Sequence, residues 1–253
     1  MKEQRVRKTV IARAKEPARL LALSDGLFAT VLTLLVLDLR IPEGLITAGG
    51  DITAFARWIG PHLFSYLMTF FVAGNYWLAH HRDFEHIIGY DNLLLRYNLL
   101  FLLFIGLFPF TTATISTTSI APSPYASYWA IYAANFIFAG IMLMLTRLYA
   151  LHHGLVDPEI SHKESRRILM REINAPAVFL VSIVVEFLFP RSYLGPWILL
   201  ALLPLQMLVD RIYAIPAPEQ TSGLGAWPRR LWQAGTTLLW LLIFGIAAWL
   251  LTL

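Results

Sequence analysis

Cysteine is absent from this chain of 253 residues, which excludes disulfides, iron–sulfur clusters and thiol catalysis and says nothing of the redox compartment. Charge is scarce as well. Asp, Glu, Lys and Arg together make 14% of the chain, against about 25% in a soluble domain. Hydrophobic residues make 57% and the mean hydropathy is +0.61, so the deficit points to a bilayer. No polar stretch is long enough for a catalytic domain; the longest, residues 146–174, suffices for a short cytoplasmic helix. Neither a G-x-S-x-G nucleophile turn nor an H-E-x-x-H metal helix occurs, which argues against an enzyme. No short apolar core with a small-residue cleavage site precedes the first hydrophobic run, so the N-terminus does not read as a signal peptide.

What is present is a series of apolar runs near the ~20 residues a bilayer requires. They fall at about 20–39, 55–79, 93–110, 128–149, 176–189 and 197–213, with a further one at 231–253. The fold class expected is all-α integral membrane: a six-helix unit over 20–214 and a probable seventh transmembrane helix. A basic leader (1–19) precedes the unit, and a Pro/Gly-rich link (215–230) joins it to the last run. Between the spans, 41–53 reads as a loop, HHRDFEHIIGYDN as a short polar turn and TTATISTTSIAPSPYAS as an uncharged loop. The connector after span four reads as solvated, its second half helical. Pro176 takes the first turn of span five, where proline is tolerated, and Pro204 kinks span six.

The basic residues orient this layout. With the N-terminus inside, sixteen Lys/Arg fall on cytoplasmic segments and three on the other side, with Arg96 inside span three. That bias is the positive-inside pattern and accounts for the net charge of +4 without nucleic acid. The expected location is the cell membrane, multi-pass, N-terminus cytoplasmic.

The chain is organised around RLLALSDGLFATVLTLLVLDLRIP, residues 19–42. An ionisable group inside a membrane is costly, by roughly 2.5–3.5 kcal/mol on insertion scales, so Asp25 marks a functional or packing site. At 100° per residue, Leu23, Gly26, Leu27, Thr30, Leu34 and Leu37 share one face, with Thr33 at its edge. Asp25 lies about 140° from Thr30. The Thr/Leu stripe and the acid therefore face different neighbours.

Each group has a plainer alternative. Asp25 and Ser24 read as polar fastening between helices, to Arg19 or to Trp77, His81 and Asn98, in preference to direct ion coordination. Thr30 and Thr33 read as pore hydroxyls or as side chains bonded to their own preceding turn. The leucines read as pore rings or as ordinary packing. Asp38, near the outer end, would gather cations at a pore mouth or sit as a surface charge. His81 and Glu85 stand four apart among His80 and His86, but no set of three or four ligands makes a metal site. A proton-coupled secondary transporter using Asp25 is the alternative function. Against it, no inverted repeat or paired broken helices are visible.

Arg19-x-x-x-Leu23-Ser24-Asp25, continued by GLFATVLTLLVLDLRIP, resembles the first-helix motif of the endolysosomal potassium channel family and its bacterial relatives. NYWLAHHRDFEHIIGYDNLLLRYNLLFLLFIGLFPFTT is similar to that family's second and third helices. The resemblance covers roughly residues 1–112. It implies a homotetramer in the lipid bilayer, with the first helices lining a central pore for monovalent cations and K⁺ as the permeant ion. It further implies a narrow ring at Thr30, Thr33 below it, apolar rings at Leu34 and Leu37, and Arg19, Ser24 and Asp25 tying helix one to helices two and three. No cofactor is implied. The sequence departs from the family at Leu23, where it has phenylalanine, and at Thr30, where it usually has isoleucine or leucine. A TVGYG filter is absent, so a carbonyl cage is not the source of selectivity.

Overall fold

The computed structural model describes residues 17–40, 52–118, 125–190 and 194–213, and among them every regular element is a helix. Most of the basic leader, the loop at 41–51, the link at 215–230 and the hydrophobic segment at 231–253 lie outside the described residues. Helix α1 (Ala18–Leu35) ends in a 3₁₀ turn, Val36–Leu39. It buries Leu20, Ser24, Phe28, Val31 and Leu35, a stripe of three- and four-residue steps as a 3.6-residue helix requires.

Helix α2 (Ile52–His86) is 35 residues long and corrects two expectations. Residues 52 and 53 are helical rather than loop, and the polar turn expected at HHRDFEH is the last two turns of the helix. Nothing in that segment breaks a helix, and its polar residues are matched locally. His80 stacks on Phe84 at 4.4 Å, and His81 pairs with Glu85 at 3.5 Å. The helix ends at His86, and an isolated antiparallel bridge between Ile87 and Val156 ties the segment after it to the one after α5.

Helix α3 (Asn92–Gly106) is capped by Asp91, whose carboxylate accepts from the Leu93 and Leu94 amides, two donors left unpaired by helix geometry. After Leu107 the chain resumes as α4 (Phe108–Thr118). Pro109 enters in its first turn, where its missing N–H is harmless. The first eight residues of the expected Ser/Thr loop are thus helical. Their hydroxyls bond to their own helix, Thr112 to the Phe108 carbonyl at 2.7 Å and Thr114 to that of Thr111 at 2.7 Å. With its hydroxyls so paired, the uncharged run can bury Thr111, Thr112 and Ser116.

Helix α5 is Tyr125–His152 and α6 is His162–Leu188. The second half of the charged connector, helical as expected, and span five are therefore one helix, begun by Ser161 capping the Glu164 amide at 3.1 Å. Pro176 lies in its interior, not in a first turn as expected. Its ring fills the space beside Gly140, where a Cβ would lie 2.4 Å from the proline Cγ. The last span is split into α7 (Leu194–Ile198), a 3₁₀ turn at Leu199–Ala201 and α8 (Leu202–Ile212). The break precedes Pro204, which sits in the first turn of α8.

By length and composition, five stretches among the described residues can cross a membrane: Ala18–Leu39, Asn92–Ser116, Tyr125–His152, His162–Leu188 and Leu194–Ile212. The core lies between α2, α3, α4, α5 and α6. Phe108 stacks on Phe136 at 4.1 Å and Phe136 on Phe179 at 4.8 Å, with Tyr132 against both Phe136 and Phe179. Aromatic pairs of this kind add roughly 0.5–1.5 kcal/mol each to simple burial. Helix α1 leans on this core through Phe28 and Val31, and its other side faces outward.

Candidate functional site

The outward side of α1 is the stripe named above. Thr30 and Thr33 are exposed, as are Leu23, Leu34 and Leu37, the last two at 44% and 48%. The Thr30 hydroxyl donates to the Gly26 carbonyl at 2.9 Å, and that of Thr33 to the Thr30 carbonyl at 2.7 Å. The two readings offered by the sequence therefore coexist: both hydroxyls back-bond and both stand outside. With the proton spent on the helix, each oxygen turns its lone pairs outward, an arrangement suited to a cation and not to an anion.

The opposite side is fastened by hydrogen bonds. Asp25 is half-buried and accepts from the Trp77 indole N–H at 2.9 Å. Ser24 is fully buried and begins a relay across three helices. His80 Nε2 donates to Asn98 Oδ1 at 2.8 Å, Asn98 Nδ2 donates to Ser24 Oγ at 3.2 Å, and Ser24 Oγ donates to the Leu20 carbonyl at 3.0 Å. Each link pairs a buried donor with an acceptor, as buried polar groups require, while His80 Nδ1 is left without a partner. At the far end, Asp38 accepts from Ser116 of α4 at 2.8 Å. Helix α1 is thus held at both ends, some 20 Å apart at 1.5 Å per residue.

Trp77 and Asn98 are among the residues brought to α1. His81 is not in the relay; it stacks on Trp77 at 5.5 Å, and its neighbour His80 takes the buried place. That difference follows from the length of α2. Once the helix runs through residue 86, positions 73, 76, 80, 84 and 87 form one inward stripe, and His81 falls beside it. Arg19 is exposed and forms no hydrogen bond or ion pair among the described residues. Ser116 was also missed, because its segment read as a loop.

A second cluster lies where the sequence suggested solvated charge. Arg147 of α5, 1% exposed, donates to Asp83 of α2 at 2.8 Å and lies 4.0 Å from Glu172 of α6. All three are buried. Breaking such a pair by removing one partner typically costs about 3–5 kcal/mol, because the remaining charge is left without compensation. The cluster locks three helices at the end of the bundle where α2 stops and α6 starts. The two acids were not singled out in the sequence because each stands alone among apolar or basic neighbours.

Residues 19–109 match the family model described as the endosomal/lysosomal potassium channel TMEM175. A protein named as a potassium channel from Chryseobacterium is 28% identical over 190 residues, 73% of this chain and 90% of the relative. One so named from Chamaesiphon minutus is 27% identical over 195 residues, 74% and 92% of the two chains. The human protein named as the endosomal/lysosomal proton channel TMEM175 is 27% identical over 183 residues, 70% of this chain and 35% of that one. Among solved structures, the crystal structure of a lysosomal potassium-selective channel homolog from Chamaesiphon minutus superposes with a TM-score of 0.61. It covers 78% of this chain and 98% of that one at 23% identity, a likeness of fold.

Proposed function

We propose, from the premise that this chain belongs to the family of the endosomal/lysosomal potassium channel TMEM175, that it is a passive potassium-selective channel. Four copies gather their first helices around a central axis, because one copy of the motif per chain and no internal repeat require several chains for a symmetric pore. Six helices per subunit span the membrane: the five named above and α2, whose 35 residues exceed the length needed. The N-terminus is on the cytoplasmic side of the cell membrane. The family is one of ion channels rather than enzymes.

The observation that carries the reading is the asymmetry of α1. One side and both ends are fixed by specific hydrogen bonds, while Thr30, Thr33, Leu34 and Leu37 stand free on the other. A helix held in this way presents its free face at a fixed angle. In a ring of four, the outward lone pairs of Thr30 and Thr33 replace part of the hydration shell of a monovalent cation. Leu34 and Leu37 form apolar rings that close by dewetting. Threonine at position 30 hydrates more easily than the usual isoleucine or leucine, so the effective gate lies at the leucines. Asp25 works as a fastening rather than as a proton carrier, since its oxygen is engaged by Trp77.

The test is reconstitution of the purified protein in planar bilayers under opposed K⁺ and Na⁺ gradients. A channel gives unitary currents whose reversal potential shifts toward that of K⁺. Slow saturating flux without discrete openings would instead establish a carrier and overturn the proposal.

A further inference from the structure

A cleft of about 650 Å³, its open mouth included, lies between α2, α5, α6 and α8, away from the free face of α1. Its wall is mostly apolar, with Val72, Leu143, Ile168 and Leu202. Two guanidinium groups, Arg82 of α2 and Arg171 of α6, line the same space. Asp210 meets Arg171 at 3.1 Å, yet the buried Nε of Arg171 has no hydrogen-bond partner. Arg82 makes no ion pair among the described residues; its Nε donates only to the Leu78 carbonyl of its own helix at 3.0 Å. Two arginines converging on one cavity with idle donors are the chemistry that recognises phosphate, bidentate and charge-assisted.

Glu172 also lines the cleft, with both oxygens buried and neither hydrogen-bonded. Its Oε1 lies 4.0 Å from Arg147. Depth agrees with the choice of ligand. Arg171 precedes the apolar half of α6, which starts at Ala175, by about one helical turn, and Arg82 lies one turn from the end of α2. Both arginines thus sit at the height of a membrane's headgroup layer, with the apolar wall extending toward its interior.

We propose that this cleft binds an anionic phospholipid, its singly charged phosphodiester held by Arg82 and Arg171 and one acyl chain laid along the apolar wall. Such a lipid joins α2 to α6 and α8 and sets one negative charge between the two arginines. Free phosphate shares the headgroup chemistry, but it lacks the acyl chain that the apolar wall would hold.

The experiment titrates the full chain, purified in neutral detergent, with dioctanoyl phosphatidylglycerol and reads bound lipid by native mass spectrometry. Binding is read directly, so the result stands whether or not the protein conducts. The expectation is saturable binding of one lipid per chain, weakened about tenfold by Arg82→Gln, which removes a charge-assisted contact. Arg82→Lys should retain part of it, and Arg166→Gln, on the exposed side of α6, should leave it unchanged. Dioctanoylglycerol, with the chains and no phosphate, should not bind saturably, and inorganic phosphate should not displace the lipid at equal concentration. Arg82→Gln removes no hydrogen bond between helices, so its fold is retained. Wild-type affinity in Arg82→Gln would overturn the assignment, and so would equal loss in Arg166→Gln or the absence of saturable binding. Displacement by equimolar phosphate would overturn the lipid and leave a free-anion site.

Discussion

Replacing Asn98 by leucine keeps the branched side-chain skeleton and removes both links of the relay between α1 and α2. The His80 Nε2–H, 2.8 Å from Asn98 Oδ1, becomes a buried donor with nothing to bond, because His80 is itself fully buried. Stranding such a group costs about 1–3 kcal/mol. Ser24 loses less, since its hydroxyl still donates to the Leu20 carbonyl at 3.0 Å. Polar contacts within membrane proteins average only about 0.6 kcal/mol, because the unfolded chain in lipid also finds partners. Together these place Asn98→Leu at about 2 kcal/mol, one lost link and one stranded donor. Ser24→Ala, which leaves only an Asn98 amide proton unpaired, should cost about 0.5–1 kcal/mol. The assay is unfolding of the purified protein in mixed micelles titrated with sodium dodecyl sulfate, read by tryptophan fluorescence. If Asn98→Leu unfolded with the wild type, or Ser24→Ala cost more than Asn98→Leu, the relay would not be what holds α1.

Gly140→Ala forces a Cβ to within 2.4 Å of Pro176 Cγ and 2.9 Å of the Tyr76 hydroxyl. Overpacking of this kind costs about 1–3 kcal/mol. Its thermal midpoint should fall, while Gly74→Ala, which meets nothing within 4 Å, should be near neutral. The Asp91 carboxyl is subject to partial desolvation, which raises its pKa. The Leu94 and Leu93 amides and the Tyr149 hydroxyl outweigh that effect and hold it below its ordinary value of 3.8. A folded-state value depressed in this way contributes stability that is complete above the ordinary value and is lost as pH falls through the depressed one. The stability difference between wild type and Asp91→Asn should therefore shrink below about pH 4, as followed by unfolding at stepped pH. On the proposal that α1 lines the pore with Asp38 at its mouth, Asp38→Asn should lower single-channel conductance in dilute KCl, with little effect near 1 M, where the Debye length is about 3 Å.

Much of this arrangement was legible in the sequence. The division of α1 into a Thr/Leu stripe and a polar side follows from helical spacing alone, and Trp77 and Asn98 stood out as polar groups in apolar runs. The errors share one cause: polar composition was read as loop. His80 to His86 and Thr111 to Thr118 are both helical. In each, polar groups find partners in the helix's own carbonyls or on other helices, as Thr112 does at Phe108 and Asp83 at Arg147, which hydropathy does not register. Once α2 is allowed to run through its histidines, the inward register selects His80 over His81. The Arg147–Asp83–Glu172 cluster needed three helices to be placed before its members could be related, since they are 64 and 25 residues apart in the chain.

The central claim is that the free face of α1 encloses the ion path. Because the chain has no cysteine, single cysteines can be placed at Thr30, Leu34 and Leu37, and for comparison at Leu103 and Ile131, which are exposed on α3 and α5. K⁺ flux from liposomes is then followed as a charged methanethiosulfonate reagent is added. The account predicts block at the three α1 positions and none at the other two; undiminished flux after modification at Thr30 and Leu34 would contradict it.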